Sequence, residues 1–147
     1  MPLTENPPHS DITYQIIGAA MAVHSKVGPG HKESVCQGML TEEMIARGLA
    51  VEPERAVEVV LEGKVYGLLY LDHVVNQAVV VECKAQPHLL TNEELAQIIT
   101  YLAATGFQVG LLLNFRRRRL QHKRIFRPKK LDHWKQHIAP YLWRPPQ

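Results

Sequence analysis

The chain has 147 residues, enough for one domain with one core. Hydrophobic residues make up 46% and charged ones 21%, which excludes wholesale disorder. The two cysteines, Cys36 and Cys83, form no C-x-x-C or zinc-finger spacing, which argues against a disulfide scaffold and a cysteine-based metal site. No apolar run approaches the ~20 residues of a membrane span. The first residues carry prolines where a signal peptide needs a charged and then an apolar stretch, so the expected compartment is the cytoplasm.

The net charge of +3 hides a segregation. Residues 116–130 hold nine basic side chains (Arg116, Arg117, Arg118, Arg119, Lys123, Arg124, Arg127, Lys129, Lys130) and no acid. That leaves eight basic against 14 acidic residues elsewhere, a net charge of −6 on the remainder. A basic stripe on an acidic domain is the footprint of a polyanionic partner; lysines and arginines guarding a sheet edge are the plainer reading. An acidic remainder also suits carboxylates gathered around a cation.

In chain order, residues 1–10 read as a disordered, proline-spaced arm. A helix capped by Ser10 or Asp11 follows, with Ile12, Ile16, Ala19, Ala20 and Val23 at helical spacing, and Gly28-Pro29-Gly30 stops it. A second helix is predicted from about Glu33, with Val35, Met39, Leu40 and Met44 inward, ending at Arg47-Gly48. Strands are predicted over 56–61 and 65–75 around a turn at Glu62-Gly63, then over 78–85 after a turn at Asn76-Gln77. The valines of the third strand mark it as buried on both faces and central.

A helix over 92–105, closed by Gly106, leads to an apolar strand over 108–115. A helix between two buried strands implies a βαβ crossover and parallel pairing. The basic stretch returns as an edge strand over 123–126, a short helix follows over 131–141, and residues 143–147 are a tail. The predicted fold is a single α/β domain, residues 11–142, with a mixed central sheet flanked by helices.

Polar residues stand where a buried sheet does not want them. Alternation puts Glu82 and Lys84 on one face of the third strand and Val81 and Cys83 on the other. A carboxylate and an ammonium there are costly unless they serve each other or a ligand. A turn centred on Gln77 sets Asp72 across from Glu82. Two carboxylates so close raise one pKa unless a cation compensates, and oxygen ligands of this kind suit Mg²⁺ or Mn²⁺. A lone Glu82–Lys84 ion pair is the structural alternative.

Asp72, followed after nine residues by Glu82-x-Lys84 on a hydrophobic strand, resembles the P-D-(D/E)-x-K nuclease superfamily. Gln97-Ile98-Ile99-Thr100-Tyr101 is similar to the Q-x-x-x-Y motif of its recombination-exonuclease branch. Gly30-His31-Lys32-Glu33-Ser34-Val35-Cys36 resembles the G-x-x-E-x-x-Y signature of a family of small proteins in that superfamily. The runs Gly110 to Phe115 and Lys123-Arg124-Ile125 are similar to that family's last strands. The likeness covers about residues 12–127 and departs from the pattern twice: Cys36 stands for the signature tyrosine, and Leu71 for the proline before Asp72.

The resemblance implies a restriction-endonuclease-like fold and metal-assisted phosphodiester hydrolysis, on DNA in preference to RNA. Asp72 and Glu82 would hold Mg²⁺ or Mn²⁺, with the Cys83 carbonyl and Glu33 as further ligands. Glu33 is otherwise a helix-start acid favoured by the dipole. Lys84 would orient or deprotonate the attacking water and stabilise the charge on the phosphate. Gln97 and Tyr101 share a helix face and would steady water or phosphate, unless they are an ordinary polar helix edge. Arg116 to Arg119, Lys123 and Arg124 would grip flanking phosphates with little sequence readout.

His31 and His88 lie near these residues in sequence, alternation points His73 away from the face of Asp72, and Tyr70 points to the same side as Asp72. A homodimer or larger complex is compatible with so small a domain. The reading from another class is a non-catalytic nucleic-acid- or partner-binding module that keeps the fold.

Overall fold

The structure, a computed structural model, describes residues 7–129 and 138–143. Helix α1 (Ser10–Val27) buries Ile16, Ala19, Ala20 and Val23. Its first turn is not capped as expected: His9 holds the N-cap position in a left-handed conformation, φ 56°, with no side-chain bond. The turn out of Pro7 brings the Ser10 N–H to the Pro7 carbonyl at 3.2 Å, so Ser10 already lies inside the helix. Helix α2 (Glu33–Ala46) buries Cys36, Leu40 and Met44. Val35, expected inward, is exposed, because the helix turns Cys36 to the core in its place.

Strands β1 (Val51–Leu61), β2 (Lys64–Val75) and β3 (Val79–Lys84) form consecutive antiparallel hairpins. The turns between them, two residues at Glu62-Gly63 and three centred on Gln77, place Glu62, Gly63, Asn76 and Gln77 at the positive φ that tight hairpin loops use. β1 starts at Val51, earlier than the expected residue 56. Pro53 argues against a strand in the sequence, but β1 is a sheet edge, where a missing N–H costs no ladder bond.

Helix α3 (Asn92–Thr105) crosses from β3 to β4 (Val109–Asn114), and β5 (Gln121–Phe126) returns antiparallel to β4. The sheet runs β1-β2-β3-β4-β5, with β3 and β4 parallel, so the mixed sheet and its crossover stand as expected. A 3₁₀ turn, Ala139–Tyr141, lies at the end of the predicted last helix; residues 131–137 of that helix and most of the predicted arm and tail fall outside the described residues. Among the described residues no helix is long and apolar enough to cross a membrane.

One core joins α1 and α2 to the face of Val79, Val81, Cys83, Leu111 and Leu113. The other joins α3 to Val80, Leu112, Leu69, Leu71 and Ile125. The alternation of β3 and β4 therefore divides two apolar layers, and the even positions Glu82 and Lys84 share the α3 face with Val80. Gly110 sets how closely α3 approaches. A Cβ there would stand 2.5 Å from the Ile98 Cδ1 and 2.8 Å from its Cγ1, inside van der Waals contact.

Candidate active site

The β2–β3 hairpin pairs Val75 with Val79, Val74 with Val80 and His73 with Val81. This is the register that sets Asp72 opposite Glu82. At that step side chains replace the backbone ladder. The Asp72 N–H donates to the Glu82 carboxylate at 3.2 Å, and the Cys83 N–H donates to the Asp72 carboxylate at 2.9 Å. Beyond this point the β3 side of β2 is taken over by the C-terminal segment: Leu68 exchanges both backbone bonds with Trp143, at 3.0 and 2.7 Å. The strands part like a fork, with the carboxylates in its crotch.

Glu82 is 4% exposed. Burial first, then the Asp72 charge, push its pKa well above the ordinary glutamate value; the Asp72 N–H and Lys84 pull the other way without prevailing. The N–H and C=O of one strand residue leave on the same side, so the Cys83 carbonyl faces the edge on which Asp72 takes its N–H.

Lys84 ends β3, and its Nζ donates to the Oε1 of Gln97 at 3.1 Å. The Nε2 of Gln97 donates in turn to the Tyr101 hydroxyl at 2.8 Å. The i, i+4 spacing puts both residues on the inward face of α3. That helix is well started: Thr91 and Glu94 make a capping box, and burial of the Glu94 carboxyl is outweighed by the Thr91 bonds that hold its pKa below the usual value. Tyr101 is buried, and its ring meets Tyr141 edge to face at 5.7 Å. Burial, followed by the Glu82 charge, raises its pKa, so the hydroxyl stays protonated.

Glu33 opens α2 and is half-buried, accepting from Gln37 Nε2 at 3.3 Å. Burial raises its pKa, Lys84 lowers it and Asp72 raises it, which puts this carboxylate in the field of the other two. Among the described residues no three His, Cys, Asp or Glu side chains converge closely enough to enclose a metal ion. Two adjacent carboxylates with a backbone carbonyl are nonetheless a fitting donor set for Mg²⁺, which keeps several waters and is held by one or two carboxylates plus substrate phosphate. A cleft of about 260 Å³, lined by Ser34, Gln37, Thr41, Glu54 and His73, opens beside Asp72.

The basic residues divide. Arg116, Arg118 and Arg119 are exposed just past the end of β4, next to Lys84 across the parallel pair Lys84–Asn114. A groove of about 400 Å³ runs along Leu89, Arg117, Arg118 and Arg119. Arg117 is tied down, donating to the Pro87 carbonyl at 2.8 Å while its own carbonyl meets His24 Nε2 at 2.8 Å. Lys123 and Arg124 leave β5 on opposite faces. Lys123 shares the face of buried Ile125, whereas Arg124 reaches α1, where its Nε donates to Thr13 at 2.9 Å.

Sequence reasoning passed over Asn114, which sits at the end of an apolar run and is fully buried. Its carboxamide accepts from the Gln86 and Arg116 N–H groups and donates to the Gln86 and His88 carbonyls, over 3.0 to 3.3 Å. It thereby fixes the loop leaving Lys84. An asparagine in a strand read as fully buried was the available signal. His73 faces α2, with its Nε2 2.8 Å from the Thr41 hydroxyl, although Leu71 two residues before it packs on the α3 side, so β2 breaks its alternation at Asp72. His31 and His88 are exposed.

Comparison with known proteins now adds to this geometry. A search of curated proteins gives no match. Among solved structures, the crystal structure of SSO0001 is similar, with a TM-score of 0.55 and 19% identity. The alignment covers 90% of this chain and 64% of that one, so the chain spans less than two thirds of that protein's length. At this identity the likeness shows the fold. A family model described as PD-(D/E)XK nuclease superfamily matches residues 10–125, from the first residue of α1 to the buried isoleucine of β5. With most of its length inside that match, the chain belongs to the PD-(D/E)XK nuclease superfamily.

Proposed function

We propose that this domain is a Mg²⁺- or Mn²⁺-dependent nuclease that hydrolyses phosphodiester bonds of DNA. The observation that carries the reading is the buried Glu82 carboxylate, hydrogen-bonded to Asp72 where the β2–β3 ladder ends, with Lys84 on the same strand face. Two carboxylates at the crotch of a fork are electrostatically uphill without a cation. Asp72, Glu82 and the Cys83 carbonyl would hold the ion, and Glu33, at the start of α2, would be a further ligand.

The bound ion supplies Lewis-acid polarisation of the phosphate and acidifies the attacking water. The chain's own residues do the rest. Lys84 presents its ammonium to the oxygen where charge grows and orients the attacking water. Gln97 occupies one Lys84 donor and aims the others. Tyr101 accepts from the Gln97 amide nitrogen, which keeps the amide oxygen turned to Lys84. Gln97 and Tyr101 are thus positioning residues. The exposed arginines past β4 bind phosphates along the strand, with affinity that falls as salt rises.

The test is cleavage of plasmid and of linear DNA in Mg²⁺ or Mn²⁺, against chelator, with Glu82→Gln and Lys84→Ala alongside. Metal-dependent cleavage that both variants abolish, while DNA binding by Lys84→Ala persists, supports the reading. DNA bound but cut in neither metal would make the domain a binding module that keeps the fold.

A further inference from the structure

We propose that Tyr70 and Trp143 form a stacking platform for an unpaired nucleobase beside the scissile phosphate, so that the enzyme favours single-stranded or frayed DNA over continuous duplex. The proposal rests on the nuclease reading and names the substrate structure that the same site takes.

Four features carry it. Tyr70 and Trp143 are 48% and 46% exposed, large aromatic surface left in water. Their rings meet edge to face, 6.4 Å between centroids with an interplanar angle of 83°, so one ring braces the other and leaves a face open. Trp143 is held by the backbone: its N–H and C=O both pair with Leu68, which ties the ring's position to β2. Tyr70 stands two residues before Asp72 on β2, about 7 Å along the chain, on the stretch that β3 has already left. A base resting on the platform would lie one pleat from the carboxylates.

The chemistry selects the occupant. Stacking on an aromatic ring is available to every base and reads no sequence, but a base inside a duplex already has both faces covered. A platform next to the reacting phosphate therefore reads whether the strand is paired. The arginines past β4, at the other side of Lys84, complement it by attracting the backbone of either form.

The experiment measures affinity of the full chain for a labelled single-stranded oligonucleotide and for a hairpin duplex of equal length, in Ca²⁺ to prevent cutting. Tyr70→Ala and Trp143→Ala are each expected to weaken single-strand binding about tenfold or more, with duplex binding changed much less. Tyr70→Phe and Trp143→Phe keep a ring and are expected to retain the preference, which separates stacking from misfolding. The platform is overturned if the alanine variants leave the ratio of the two affinities unchanged. Equal loss on both substrates, or a change confined to self-association in ultracentrifugation, overturns it too. A wild-type protein that cuts DNA while the ratio stays fixed removes the platform alone; one that binds no nucleic acid removes the nuclease reading with it.

Discussion

Asp72 and Glu82 face each other where β2 and β3 part, and each carboxylate accepts a backbone N–H that the ladder no longer pairs, at 2.9 Å from Cys83 and 3.2 Å from Asp72. The two bonds orient the carboxylates but cancel neither charge. Lys84, the nearby cation on the same strand face, is itself engaged by Gln97.

A pH dependence follows. Burial, and then the charge of Asp72, raise the Glu82 pKa, so the metal-free folded protein keeps a proton that the unfolded chain has lost. Where the folded state binds more protons, stability falls as pH rises. Glu82's contribution is thus fully present below the ordinary carboxylate value and lost as pH climbs to the raised one; Glu33 is shifted in the same direction. Urea unfolding in chelator, from about pH 5 to pH 8, should show a steeper loss of stability for wild type than for Glu82→Gln. Parallel curves would mean that Glu82 is not held protonated.

Lys84 and Gln97 should separate kinetically. Lys84→Ala is expected to lower kcat by ~100-fold or more, the order seen when one transition-state donor is removed. Gln97→Ala frees the ammonium without removing it, and a hydrogen bond to a charged group is worth about 1.5–3 kcal/mol. The expected cost is ~10- to 100-fold in kcat, with KM nearly unchanged and metal affinity kept. A Gln97→Ala effect confined to KM would assign the amide to substrate binding.

Asn114 tests the scaffold behind the site. Asn114→Leu matches its size but leaves four backbone groups around Gln86, His88 and Arg116 without partners. Each stranded group costs about 1–3 kcal/mol, lessened where water reaches it. Equilibrium unfolding should therefore show a loss of ~3 kcal/mol or more, among the larger effects of single substitutions. A loss under ~1 kcal/mol would mean that the loop holds itself.

The arginines past β4 should act by charge alone. Replacing Arg116, Arg118 and Arg119 with glutamine is expected to weaken binding of all sequences alike, and to reduce the slope of log affinity against log salt by about one per lost phosphate contact. Arg124, bonded to Thr13 on the far face, should leave that slope unchanged when replaced by glutamine. An Arg124→Gln effect as large as the others would place DNA on the α1 side.

Much of the frame was legible because it rests on local rules. The valines of β3 announce a central strand, and the turn centred on Gln77 sets a register that brings Asp72 opposite Glu82. Three features were hidden for reasons beyond local pattern. Pro53 masks the start of β1, since only tertiary context makes it an edge strand. The Lys84–Gln97 bond depends on how closely α3 settles over Gly110, which side-chain volume decides. The basic stripe reads as one patch in sequence, yet strand alternation sends Lys123 and Arg124 to opposite faces, and helix packing takes Arg124 to Thr13.

Calorimetric titration of Mg²⁺ and Mn²⁺ into wild type and Asp72→Asn, each with and without a DNA oligonucleotide, tests the carboxylate pair most directly. Binding by wild type that disappears in Asp72→Asn is the predicted result, since the remaining Glu82 is buried and favours its protonated form. Equal binding by both proteins, or none by wild type even with DNA present, would contradict a metal site at Asp72 and Glu82.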